Sequence, residues 1–332
     1  MRDIYEIVDS FEDYSQVKSI PIVIGKINEP EITVFVPTYK RTDTLKQTLD
    51  SIIGQTDAQS FEILVINNSS DGEDVEELIK SYRDDRISYY INEENIGLCG
   101  NWNRGIELAK GKYVAMIHDD DLLSPWFLTA VKKAITEHKE PEIIGVSYIN
   151  FDSDHFPVFK RPEAFKYRHI SKESFFFGHN INIAGMTVKR EFILKLGGYS
   201  EEYYPNEDTI MIYQTMVLGG RIINIEHPLA GYRRELNLSL KNETMEQIIN
   251  ITEQTRRFIA LHEKFAQKWM KNFDREYFYH YILSANAYWG MSLDYKIIMK
   301  DNGFSSVQIN KLKYWRMKML LKIKECFFRL GA

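Results

Sequence analysis

Cysteine is nearly absent: Cys99 and Cys326 are the only two in 332 residues. Two thiols cannot make a disulfide framework, and no Cys/His set stands at zinc-ligand spacing, which excludes a stapled secreted scaffold and a structural zinc domain. Long apolar runs are missing too. No stretch reaches the roughly 18 residues a membrane span needs, and residues 1–15 carry charges where a secretory leader needs an apolar core. These absences predict a soluble or peripheral protein of a reducing compartment, the cytoplasm. Basic character is also lacking, with 42 Lys+Arg against 47 Asp+Glu and a net charge of -5. Nucleic-acid binding is therefore not expected, because that attraction needs a basic footprint. No G-x-G-x-x-G follows an apolar run, which removes a dinucleotide oxidoreductase.

What is present is 44% hydrophobic residues, enough for one large or two small domains with a sizeable core. Residues 1–30 are acidic and loosely patterned, and read as an extension lying on the domain that begins after Pro30. Ile32–Val36 and Phe61–Ile66 are β-branched runs stopped by Pro37 and by Asn67-Asn68-Ser69-Ser70-Asp71-Gly72, the pattern of buried parallel strands. Between them Leu45, Leu49, Ile52 and Ile53 fall on one helical face, closed by Gly54. The alternation continues with a helix over 73–82, a strand over 87–91, a helix over 101–109, a strand over 113–117 and a helix over 125–138. It predicts an α/β sheet with helices on both faces. Ligands on such sheets bind beyond the carboxyl ends of the strands, which points to Pro37–Arg41, Asn67–Asp71 and His118–Asp121. Past residue 141 the pattern is mixed, with a strand at 221–225 and a turn at His227-Pro228. From Asn242 onward proline vanishes and the periodicity becomes helical. The expected divisions are 1–30, 31–140, 141–240 and 241–332.

Asp119, Asp120 and Asp121 follow the apolar run Tyr113–Ile117. Carboxylates crowded at one strand end repel unless a cation neutralises them, and Mg²⁺ or Mn²⁺ with oxygen ligands is the natural one. An acidic helix start at Pro125 accounts for the same residues in another way. Taken in order, Val36-Pro-Thr-Tyr-Lys-Arg41, Val65-Ile-Asn-Asn-Ser-Ser-Asp71, Asn95-Ile-Gly97, Asn101-Trp-Asn-Arg-Gly-Ile106, Gly111 to Asp121 and Asn206-Glu-Asp208 resemble the family 2 glycosyltransferases of the GT-A fold. The resemblance spans about residues 31 to 235. It implies a Rossmann-like mixed sheet and an inverting transfer of one sugar from a nucleotide-diphosphate donor, a UDP-sugar first, to a glycan or lipid-linked glycan acceptor. Mapped onto this chain, it puts Pro37, Thr38, Tyr39 and Arg41 at the base and ribose. Asn68 stands at the base-reading position, Asn95 and Asn103 on the donor side, and His118 and Asp119 near ribose or diphosphate. Asp120 is the implied metal ligand, with an Asp119/Asp121 pair as the alternative register. Asn67 and Asn68 replace the usual Asp pair, and His118 occupies the first D-x-D position.

Inverting transfer needs one base for the acceptor hydroxyl, and the resemblance gives that role to Asp208, ahead of the helical pattern Ile210, Tyr213, Met216, Val217. Arg233 or Arg234 is the candidate cation for the leaving diphosphate, since guanidinium forks suit phosphate oxygens, with a surface ion pair as the alternative role. The Q-x-x-R-W motif of processive members is absent, so a single addition is expected. A non-catalytic binding protein that has kept the fold, or a nucleotidyltransferase, are the alternative readings. Finally, residues 311–329 carry seven Lys/Arg against Glu325, interleaved with large apolar residues. That pattern fits either peripheral contact with an anionic membrane at the inner face of the cell or a helix packed on the core.

Overall fold

The computed structural model describes residues 1–56, 60–70, 73–178, 181–235 and 241–330. Asp71 and Gly72, named above as part of a strand end, and the side chain of Arg329 lie outside them. The first half alternates β2 (Ile32–Thr38), α1 (Asp43–Ile53), β3 (Glu62–Asn67), α2 (Glu73–Tyr82), β4 (Ile87–Asn92), α3 (Gly97–Leu108) and β5 (Tyr113–Met116). Strands β4, β3, β2 and β5 lie side by side and parallel. The chain moves from β2 outward through β3 to β4, then returns to place β5 on the other side of β2. The β2/β5 boundary is thus the switch point where a crevice opens beyond the strand ends.

Alternation along β2 explains the two layers. Ile32, Val34 and Val36 pack with Leu45, Leu49 and Ile52 of α1 on one face. Phe35 faces the other way, onto Trp102 and Ile106 of α3. Gly105 of α3 crosses there because a Cβ would sit 2.3 Å from the Phe35 ring.

Residues 1–30 do more than lie on the sheet. Their β1 (Ser19–Val23) extends it as an antiparallel edge beside β4, where Pro21 is tolerated because an edge strand can spare an N–H. Arg104 fastens the segment, donating to Tyr14 O (3.1 Å), Val17 O (2.8 Å) and Ser19 Oγ (2.6 Å).

Beyond β5 come β6 (Leu122–Leu123), α4 (Phe127–Glu137), β7 (Ile143–Phe151), β8 (Tyr167–Ile170), α5 (Lys172–Phe176), β9 (Met186–Lys189), α6 (Arg190–Leu196), α7 (Glu207–Val217) and β10 (Ile222–Arg233). The sheet continues β5-β9-β7-β10-β6, with β8 also on β10. The turn expected at His227-Pro228 is instead an irregularity inside one strand. Register slips between Ile225 and Pro228 and again before Ala230, where proline has no N–H for the ladder, and β10 then runs on to Arg233. That continuity carries Arg233 back to the crevice.

Helices α8 (Asn242–His262), α9 (Lys264–Trp289), α10 (Tyr295–Asp301) and α11 (Lys311–Leu330) complete the described chain. Met245, Ile249, Phe278, Ile282 and Met299 make a core among α8, α9 and α10. Trp269 and Phe273 of α9 join the sheet's second layer, with Met317 of α11. No helix of the described residues is long and apolar enough to cross a membrane.

Candidate active site

The crevice is a cavity of about 530 Å³. One wall is the β2 end, with Pro37, Thr38, Tyr39 and Arg41, beside His118, Asp119 and Asp120, which come after β5. The start of α7, with Glu207 and Asp208, lines the same cavity, next to Tyr204 and Pro205.

The three aspartates do different things. Asp119 is clasped by the β2 end: Thr38 Oγ1 donates to Oδ2 (2.8 Å), the Tyr39 N–H to the same oxygen (3.4 Å), and Arg41 Nη1 to Oδ1 (3.2 Å). Burial nevertheless outweighs these partners and pushes its carboxyl up to about 6. Asp120 takes the same Arg41 Nη1 on Oδ2 at 2.8 Å. Asp121 accepts the Arg233 N–H on Oδ1 (2.8 Å), while its buried Oδ2 has no hydrogen-bond partner. Burial and the neighbouring Asp120 charge hold the Asp121 carboxyl well above the ordinary range.

His118 lies against the Trp102 ring, centroids 5.5 Å apart, and its buried Nε2 also lacks a partner. Burial lowers its pKa, so the neutral, ligating form is favoured.

One ligand atom each from His118, Asp120 and Asp121 fall within 4.8 Å of one another. Two orphaned buried polar atoms in a nitrogen-and-oxygen donor set fit a divalent cation. The grouping joins Asp120 to His118 and Asp121, and sets Asp119 apart on the β2 side.

Arg233 lines the cavity, but its guanidinium is already engaged by the protein. Its guanidinium donates to Asp120 O (2.8 Å), Gln47 Oε1 (2.6 Å), Ser153 Oγ (3.1 Å) and Glu235 Oε1 (3.1 Å), and lies over the Phe151 ring at 4.5 Å. With every nitrogen engaged, it braces the aspartate loop.

The three asparagines also land differently. Asn68 lines the cavity, but its amide is spent on the chain: Oδ1 accepts from Asn92 Nδ2 (3.0 Å) and the Ile96 N–H (3.0 Å), and Nδ2 donates to Asn95 Oδ1 (2.9 Å) and Gly97 O (2.9 Å). Asn95 is exposed and acts on Asn68, outside the cavity lining. Asn103 is turned away from the donor side. It donates to Tyr199 O (2.8 Å) and accepts the Tyr199 N–H (2.7 Å), pinning the turn after α6. Asn101 and Trp102, two and one positions earlier on α3, face the cavity instead.

At the start of α7 Asp208 Oδ1 accepts the Thr209 N–H (2.6 Å) and hydroxyl (3.2 Å). Its carboxyl is raised by burial. Glu207 is buried with Oε2 unpartnered, and burial plus the Asp208 charge push it up to about 8. Asn206, just before α7, donates to Thr252 Oγ1 of α8 at 2.9 Å, and Thr244 of α8 reaches the cavity. Neither Thr244 nor Gln47 had a signal in the sequence: Thr244 reaches the cavity from a helix far along the chain, and Gln47 is defined by its distant partner Arg233. Tyr204 could have been read from its place beside Glu207-Asp208.

A mixed sheet flanked by helices, whose switch point carries an acid-and-histidine cluster beside a cavity that a buried carboxylate also lines, has the GT-A glycosyltransferase fold. Residues 33–197 match the family described as Glycosyl transferase family 2, which identifies that part of the chain as a family 2 glycosyltransferase domain. The chain is 29% identical over 187 residues to GalNAc(5)-diNAcBac-PP-undecaprenol beta-1,3-glucosyltransferase of Campylobacter jejuni, covering 55% of this chain and 59% of that protein. The chain thus matches less than two thirds of that relative's length. Two solved structures share the fold: TarS 1–349 of S. aureus in complex with UDP-GlcNAc (TM-score 0.53, 14% identity, 73% of each chain), and the mannosyltransferase PcManGT of Pyrobaculum calidifontis with GDP-Man and Mn²⁺ (TM-score 0.55, 16% identity, 93% of this chain and 89% of that one).

Proposed function

We propose that this protein moves one hexosyl or N-acetylhexosaminyl unit, with inversion, from a nucleotide-diphosphate sugar to a hydroxyl of a glycan or lipid-linked glycan. A UDP-sugar is the first donor to test. The observation that supports the reading is that one cavity is lined both by His118, Asp119 and Asp120 and by Asp208. Asp208 takes the proton of the acceptor hydroxyl as that oxygen bonds to the anomeric carbon. The bond from that carbon to the diphosphate oxygen breaks, and its electron pair leaves with the nucleoside diphosphate. Mn²⁺ or Mg²⁺ held by His118, Asp120 and Asp121 would supply positive charge to that leaving group. Arg41 adds a fixed cation at the same wall, while Tyr39 and Pro37 offer flat surface to a base and ribose.

The relative that acts on an undecaprenol-linked glycan supports a lipid-linked acceptor, and the neighbours holding UDP-GlcNAc or GDP-Man with Mn²⁺ support donor class and metal. A cytoplasmic location, at the inner face of the membrane for a lipid-linked acceptor, goes with this reading. The test is a thermal-shift series of nucleoside diphosphates with and without Mn²⁺. The expected result is stabilisation by one of them that increases with the metal, about 2.7 kcal/mol at a hundredfold excess over Kd. No response to any nucleoside diphosphate would refute the proposal.

A further inference from the structure

The two sequence readings of the C-terminal segment exclude each other only if the helix has one apolar face, and α11 has two. Met317 is fully buried against the core, with Tyr314, Leu320 and Leu321 packed around it. Phe328 lies against Phe177, and Lys324 pairs with Glu173.

On the opposite side Leu312, Trp315, Met319, Ile323 and Phe327 recur at three- and four-residue intervals, which lines them along one face of a helix. Leu312 is 75% exposed, Trp315 62%, Met319 44%, Ile323 49% and Phe327 69%. Met319, Lys322, Ile323, Cys326 and Phe327 enclose a shallow apolar groove within this stripe. From Leu312 to Phe327 the stripe is about 22 Å long at 1.5 Å per residue.

The exposed charges beside this stripe are basic, and Glu325, half-buried, is the one acidic residue of the helix. Lys311, Lys313, Arg316, Lys318 and Lys322 are all exposed, and none is in an ion pair among the described residues. This concentration sits on a chain whose net charge is -5, so the basic face is local.

We propose that the outward face of α11 docks the protein on an anionic lipid surface, with Trp315, Met319, Ile323 and Phe327 entering the interface and the lysines meeting headgroup phosphates. Charge complementarity selects this occupant. An isologous contact with a second copy would set two rows of cations against each other, whereas a lipid surface of opposite sign attracts every one of them. The inference stands on α11 alone and is independent of the transfer reaction.

The test is flotation of the full chain with vesicles of phosphatidylcholine containing roughly 30% phosphatidylglycerol, against phosphatidylcholine alone. Binding to the anionic vesicles is expected, weakening as salt rises. The double variant Trp315→Glu/Phe327→Glu should lose about tenfold or more of it, since charge replaces apolar surface at the interface. Both positions are exposed, so its melting temperature should match the parent. Lys311→Gln/Lys318→Gln/Lys322→Gln should remove the preference for anionic over neutral vesicles. Failure of the parent to float, or equal flotation of parent and Glu variant, overturns the proposal. So does a dimer in sedimentation that the Glu variant abolishes without any vesicle binding, which would make the stripe a self-contact.

Discussion

Replacing Asp208 by Asn tests the chemistry while sparing the structure. Asn keeps an oxygen that can accept the Thr209 N–H and hydroxyl, the contacts now made at 2.6 and 3.2 Å, so the start of α7 should hold its shape. It also removes a charge that burial disfavours, so folding stability should stay level or rise. What it cannot do is accept the proton, and transfer should fall by about 10²–10⁴, roughly 3–5.5 kcal/mol on the barrier. The assay is single-turnover transfer beside donor affinity, across pH. The parent's rate should rise with pH through a value above the ordinary carboxylate range, and the variant's profile should be flat. A mere helix-start carboxylate predicts about 1 kcal/mol of lost stability and little else. Glu207→Gln separates the neighbours. Glu207 holds its proton up to about 8, so at pH 7 Gln resembles the group already there and the rate should barely change. Its folded-state pKa lies above the ordinary 4.5, so the stability it confers is fully present below about 4.5 and is lost as pH rises through about 8. The Gln variant should lose that decline. Turnover of Asp208→Asn within about threefold of the parent would refute the assignment.

Two further outcomes concern the cavity walls. Asp120→Asn should abolish the Mn²⁺ dependence of nucleoside diphosphate binding in calorimetry and leave the melting temperature within a few degrees. Asn68→Asp should destabilise the fold by about 1–3 kcal/mol in denaturant titration, because a carboxylate would face Asn95 Oδ1 and Gly97 O where Nδ2 now donates.

The strands, the helices around them and the polar strand ends were legible because β-branched runs stopped by proline or asparagine leave few alternatives. Side-chain roles were less so. Asn103 and Asn101 differ by two positions on α3, and which one faces the cavity depends on the rotation of that helix against β2. Arg233 was legible as a cation near the site, but its partners Gln47 and Asp120 come from residues more than a hundred positions away. Pro228 reads as a turn to any local rule, while β7 and β6 hold it inside a strand. The periodicity of α11 could not show that both its faces are apolar for different reasons.

The N-terminal segment has a practical consequence for anyone cutting the gene. The Ser10 N–H donates to Gly197 O at 2.8 Å, and Asn103 reaches Ser10 O at 3.4 Å, so the first ten residues are stitched to the turn leading toward α7. Gly197 itself leaves no space at that seam, as a Cβ there would sit 2.3 Å from Val8 O. A recombinant piece trimmed to the family's own limits, 33–197, would discard the edge strand and this seam, and would end before Asp208 is reached. Affinity tags are better placed where they leave Met1 to Val23 free to fold back, and a soluble fragment that omits them would be a different molecule from the enzyme.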